Sequence, residues 1–211
     1  DILLSTFDYK ITAEMIAAAP NLKLITNFGV GFNNVDIAAA RDRGIPVTNT
    51  PGPVIEPTAE HAFTLMLAIC HRTAELDRRM RQPNSDIEFG VMNNLGIAIY
   101  GKILGIIGMG NIGKKVARIA EAFGMNVCYH STSGTAHCKD YPCLPLEQLL
   151  KESDIVSIHA PLNERTLNLL GSKEFAMMKP TAYLVNMGRG AIVVEADLAE
   201  AVDNGVIAGA G

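Results

Sequence analysis

Short apolar runs alternate with longer segments of helical period along most of this chain, and no other feature constrains its fold as much. A strand, a crossover helix and a second strand together build a parallel sheet. In the first stretch, "ILLST", "LKLITN" and "PVTNT" alternate with helical patterns near 11–19 and 35–43. The rhythm restarts with "KILGIIG", then a helix at 111–123, "NVCYH", a helix at 146–152, "DIVSIHA", a short helix near 173–178, "AYLVNM", a helix at 195–204 and "VIAGAG". The five later strands and their four crossovers predict a doubly wound sheet. Right-handed crossovers bring the carboxyl ends of such strands to one rim, where ligands bind. Chemistry is therefore expected after Gly108, His130, His159 and Met187.

Between the two rhythms, "EPTAEHAFTLMLAICHRTAELDRRMR" at 56–81 carries one long helical pattern, apolar first and charged later, suited to bridging two domains. The irregular "QPNSDIEFGVMNNLG" follows, with the Pro and Asn punctuation of a loop. The boundary falls there, giving a first domain over 1–80 that includes a linking helix at about 56–80, and a second over 81–211. With 211 residues and 48% hydrophobic content, the chain can bury a sizeable core. A net charge of -4 without a Lys/Arg block leaves no footprint for nucleic acid or an anionic membrane surface. The longest apolar stretches, such as "FTLMLAIC", fall well short of the roughly 20 residues of a membrane span. Cys70, Cys128, Cys138 and Cys143 match no zinc or redox spacing and are expected to be buried, reduced thiols. With no leader pattern at the start, this favours the cytoplasm.

The stretch "LGIIGMGNIGKK" places Gly108, Gly110 and Gly113 between a strand and a helix. Such a string alone is weak, because 19 of the residues are glycine. Its context strengthens it: a backbone turn there approaches a pyrophosphate, and the helix N-terminus binds it. An Asp or Glu about 20 residues further on usually accepts the ribose hydroxyls and selects NAD. Here the position is Ser131, in "CYHSTSGTAHCK", which has no charge to repel a 2′-phosphate and no adjacent Arg to grip one. The choice between NAD and NADP stays open.

With "NFGVGFNNVD" at 27–36, "IPVTNTPG" at 45–52, "TAEHAFTLMLA" at 58–68, "GKILGIIGMGNIGKKVA" at 101–117, "SIHAPLNERT" at 157–166 and "MKPTAYLVNMGRGAIV" at 178–193, the chain resembles the D-2-hydroxyacid dehydrogenase family. The resemblance implies an α/β protein of two Rossmann-like doubly wound domains, a flavodoxin-like substrate domain and an NAD(P)-binding domain, with the active site in the cleft between them. Arg189 matches the family arginine that grips the substrate carboxylate and carbonyl oxygen. "GVG" matches the carboxylate loop, with the amides of Val30 and Gly31 facing substrate; Asn33 stands where the family usually has Asp. The cofactor side comprises Gly108, Gly110, Asn111, Ile112 and Gly113, with Ser131 at the next strand end. His159, Ala160 and Pro161 supply backbone contacts, and Met187 and Gly188 complete the rim. Thr58 and Thr166 match positions that touch the cofactor, although either also suits a helix cap. His61 suits a core or hinge histidine, and no metal spacing surrounds it.

The family's catalytic histidine and its glutamate lie in segments after the strand at which these residues stop, as does an aspartate for the nicotinamide amide. Both ends read as interrupted strands, so the residues are expected to be part of a longer enzyme. The resemblance implies an NAD(P)-dependent oxidoreductase moving hydride between the cofactor and a small 2-keto or 2-hydroxy acid. Glyoxylate, hydroxypyruvate, pyruvate and phosphoglycerate are all candidates. A homodimer is expected. The same scaffold also serves dinucleotide-sensing corepressors, the alternative reading; an alanine or formate dehydrogenase fits less well.

Overall fold

The computed structural model describes residues 1–211 apart from Phe7, Asp86 and Phe89. The chain divides into two compact units, Asp1–Pro57 and Thr58–Gly211.

In the first unit, β1 (Ile2–Thr6), β2 (Leu24–Phe28) and β3 (Val47–Asn49) form a parallel sheet in the order β1-β2-β3, joined by α1 (Ala13–Ala17) and α2 (Ile37–Asp42). Both helices start on side-chain caps: Thr12 accepts from the Met15 amide and Asp36 from the Ala39 amide. Ile11 is outside α1 because it bridges Val35, donating to the Asn34 carbonyl and accepting from the Asp36 amide. Ile11, Ile16, Ile25, Val35, Ala40 and Ile45 close the core.

The long helix predicted over 56–81 is two helices, α3 (Ile55–Cys70) and α4 (Thr73–Met80), with Arg72 between them in the left-handed region at φ 54°. The cause lies far along the chain. The Cys70 carbonyl accepts from the Ile97 amide at 2.8 Å, and a Cβ on Gly96 would stand 2.5 Å from that same oxygen. Only glycine lets the loop approach closely enough to end the helix there. Arg72 is then held by a two-pronged pair with Glu75, at 2.8 and 2.6 Å. Residues 58–80 pack within the second unit, whereas the sequence pattern groups them with the first.

The second unit carries β4 (Ile103–Ile107), α5 (Asn111–Ala122), β5 (Asn126–His130), α6 (Leu146–Glu152), β6 (Ile155–Ile158), α7 (Ser172–Phe175), β7 (Tyr183–Asn186), α8 (Glu195–Asp203) and β8 (Gly209–Ala210). All pairings are parallel and the order is β5-β4-β6-β7-β8, so the strand order reverses at β4. This is the doubly wound sheet that the sequence predicts. Alternate residues point into two cores. Leu104, Ile106, Tyr129, Ile155 and Val185 pack with α3 and α5 on one face. Ile107, Cys128, Val156, Ile158 and Leu184 pack with α6, α7 and α8 on the other. Three of the thiols are buried as expected, but Cys143 is exposed, and all four are free.

Asp154 ties the near ends of three strands. Its carboxylate accepts from the Ile103 amide and from Lys179, each at 2.9 Å, and its carbonyl accepts from the Tyr183 amide. Burial pushes this carboxyl up, but the Ile103 amide and the Lys179 ammonium outweigh burial and hold it below the usual carboxylate range. A carboxyl depressed in the fold stabilises above its unfolded value and loses that contribution as pH falls through its folded value. Asp154→Ala should therefore cost about 1–3 kcal/mol in chemical denaturation at neutral pH. The gap to the parent should close in acid; a gap constant with pH would refute the charged role.

Candidate functional site

The three glycines of the 104–115 loop have different reasons for being there. Gly108 has φ +97°, and a Cβ on it would stand 2.8 Å from the Ala160 amide nitrogen. On Gly113 a Cβ would stand 2.3 Å from the Gly108 carbonyl oxygen. The protein's own packing demands both. A Cβ added at Gly110 would meet no other part of the described residues within 4 Å, so the space a side chain would fill is open. Gly110 is also the N-cap of α5 and offers no side-chain cap, leaving the first-turn amides of Asn111, Ile112 and Gly113 without that partner. Open space beside uncapped helical amides suits a phosphate group, so these residues fit the pyrophosphate of a dinucleotide.

The neighbouring strand ends interlock around Ala160, which is 2% exposed. Its amide abuts Gly108, and a Cβ on Gly188 would stand 2.9 Å from its carbonyl oxygen. Asn186 fixes the third loop, accepting from the Gly188 amide at 2.9 Å and donating to the Arg189 carbonyl at 3.0 Å. Met187 continues the register by donating to the Ile158 carbonyl. Arg189 is exposed, and its guanidinium donates to the Gly188 carbonyl. Among the described residues no carboxylate pairs with it.

His159 follows β6, with Nε2 2.8 Å from Ser157 Oγ and a shielded Nδ1 that has no partner among the described residues. Burial pulls its pKa down to about 4. The ring is therefore neutral near pH 7 and is not poised to exchange a proton with a substrate. Beyond Pro161, Thr166 is fully buried; its hydroxyl accepts from the Asn163 amide and donates to the Pro161 carbonyl, so it acts through the shape of this loop. Thr58 caps nothing, since α3 begins earlier, at Ile55, and its side chain is half-buried in the first turn. His61 is exposed on α3, which removes the core reading.

Ser131 follows β5 and donates to the Thr135 carbonyl at 2.5 Å, with Ser133 Oγ 3.0 Å away. The expectation that no arginine stands beside this loop is corrected. Arg165, from the loop after β6, donates to the Ser133 carbonyl at 3.0 Å. Both loops leave the same rim, on opposite sides of β4.

In the first unit, Gly29 to Gly31 follow β2. Their carbonyls are all taken: Gly29 by the Thr50 amide, Val30 by Asn49 Nδ2 and Gly31 by Asn27 Nδ2. The amides of Val30 and Gly31 have no acceptor among the described residues. Asn34 braces the turn, its Nδ2 reaching Ser5, Thr6, Tyr9 and Asn27 at 3.0–3.1 Å. Asn27, Asn34, Asn49 and Asn186 are the positioning residues that the sequence reading missed. Their one signal is asparagine at or just after strand ends, as at Asn27, Asn49 and Asn186.

The family model for the NAD binding domain of D-isomer specific 2-hydroxyacid dehydrogenases matches residues 63–211. A glyoxylate reductase of Korarchaeum cryptofilum is 42% identical over all of this chain and 64% of its own length. The chain thus spans just under two thirds of that relative. The structure of a D-lactate dehydrogenase from Aquifex aeolicus, complexed with NAD and lactic acid, superposes with a TM-score of 0.88 at 32% identity, covering 100% of this chain and 63% of the other. An acyclic imino acid reductase in complex with NADPH and D-Arg gives 0.92 at 33% identity, covering 100% and 67%.

The glycine geometry predicts a split in thermal unfolding. Gly113→Val should lower the melting temperature by several degrees, as about 1–3 kcal/mol of overpacking does. Gly110→Val should lower it by clearly less, by no more than the poorer N-cap costs; equal losses would refute the assignment of open space at Gly110.

Proposed function

Because the chain belongs to the D-isomer specific 2-hydroxyacid dehydrogenase family, we propose that the whole protein reduces a small 2-keto acid, or oxidises the matching 2-hydroxy acid, with NAD(P)(H). The observation that carries this is the open space over Gly110, between two glycines that packing explains and at the uncapped start of α5. The bound nicotinamide supplies or accepts the hydride. We assign the pyrophosphate to the amides from Gly110 to Gly113, and the walls of the cofactor site to Thr58, Ser131, the backbone of His159 to Pro161, Met187 and Gly188, with Thr166 shaping its loop.

Arg189 is the group we assign to catalysis. As a carbonyl is reduced, negative charge grows on its oxygen, and a fixed guanidinium stabilises that charge more than it stabilises the neutral ground state. Asn186 holds the Arg189 backbone and the Gly188 carbonyl accepts from its guanidinium, which narrows the reorganisation its donors need. The amides of Val30 and Gly31, without an acceptor among the described residues, suit the substrate carboxylate. The proton is assigned to the family's histidine–glutamate pair, outside the residues described here, because His159 is held neutral. We also read the protein as a cytoplasmic homodimer without nucleic-acid or membrane partners. The free cysteines, the net charge of -4 and the exposed apolar side chains of Val91, Met92 and Tyr100 support this.

NADH and NADPH oxidation should be followed with glyoxylate, hydroxypyruvate and pyruvate. One of them should turn over, and Arg189→Ala should lower kcat by about 100-fold or more while leaving dinucleotide affinity nearly unchanged. Equal turnover in parent and variant would refute the role of Arg189. Tight dinucleotide binding without any turnover would overturn the dehydrogenase reading.

A further inference from the structure

We propose that Arg165 and the hydroxyl-lined loop over 131–135 select a 2′-phosphorylated dinucleotide, so that the protein prefers NADPH to NADH; this rests on the dinucleotide site described above. Two features point the same way. At the end of β5, the place of the carboxylate that would accept ribose hydroxyls is taken by Ser131, and "STSGTAH" at 131–137 contains no acid. No fixed negative charge in that segment opposes a phosphate.

The second feature is a cation that the linear sequence hides. Arg165 is exposed and reaches across to the Ser133 carbonyl, spending one Nη1 donor at 3.0 Å. Among the described residues no carboxylate neutralises it. A guanidinium has five N–H donors in a planar fork that matches phosphate oxygens, so donors remain for a ligand. Its base is rigid. The Arg165 amide donates to Asn163 Oδ1 at 2.9 Å, and the buried Thr166 hydroxyl locks the next residue to Pro161 and Asn163. The facing loop is also shaped: the Gly134 amide donates to the Ser131 carbonyl, with Gly134 at φ +79°, and Ser133 Oγ lies 2.7 Å from His137 Nε2. A guanidinium with unspent donors thus stands beside an acid-free serine loop, at the strand end where a bound dinucleotide carries its ribose. An arginine placed only to tie two loops together would meet the same hydrogen bonds, but would be indifferent to that phosphate.

Isothermal titration of the full-length protein with NADPH and NADH separates the two. NADPH should bind about 10-fold tighter or better, the range of charge-assisted hydrogen bonds. Arg165→Ala should erase that margin while leaving NADH affinity unchanged, and Ser131→Asp should invert it. Adenosine 2′,5′-bisphosphate should displace NADPH at lower concentration than AMP in the parent only. If NADH binds as tightly as NADPH, or Arg165→Ala weakens both alike, the selectivity proposal fails while the dinucleotide site stands. If neither dinucleotide binds the parent, the site itself falls, and the proposal with it.

Discussion

The second unit depends on the close approach of two strand-end loops to the backbone of Ala160, which belongs to a third. Gly108 meets its amide, Gly188 meets its carbonyl, and Gly113 in turn presses α5 onto Gly108. At each of these contacts a Cβ would need space that backbone atoms occupy, and backbone cannot swing aside as a side chain can. The rim is therefore built from main chain. That leaves β4, β6 and β7 locked at the end where the strand order reverses, and the open ground beside Gly110 is bounded by atoms that do not move independently.

On that base, asparagine does much of the positioning. Asn186 holds the Gly188 and Arg189 backbone, while Asn27, Asn34 and Asn49 hold the first unit's loop. An amide side chain both donates and accepts and carries no charge. It can brace a loop beside a charged ligand without adding a field of its own. The charged groups assigned to ligands, Arg189 and Arg165, are exposed and free of carboxylate partners among the described residues.

Most of the architecture was legible because it rests on local patterns. Apolar runs marked most of the strands, and the glycine spacing marked the tight turn from β4 into α5. What escaped depends on atoms distant in sequence. Nothing in "ICHRTA" announces that the helix ends at Cys70, since the Ile97 amide and Gly96 bring that about. Arg165 is 32 positions from Ser133, so no window around Ser131 contains it. Spacing also treats the three loop glycines alike; only the packed neighbours show that Gly110 is the one facing open space. Thr166 matched a contact position by motif, yet its hydroxyl is consumed within its own turn.

The loop from Gly29 to Gly31 has its three carbonyls occupied, and the amides of Val30 and Gly31 have no acceptor among the described residues. The positive potential it offers comes from peptide dipoles, and no proton can be removed to extinguish it. A lysine in the same place would lose its charge in alkali and would carry a flexible stem that must be ordered each time an anion binds. A dipole-built receptor has neither weakness. For the carboxylate proposed to bind there, that pull is the same at every pH at which the chain stays folded, so any pH dependence of its capture must originate in the anion or in a different part of the protein.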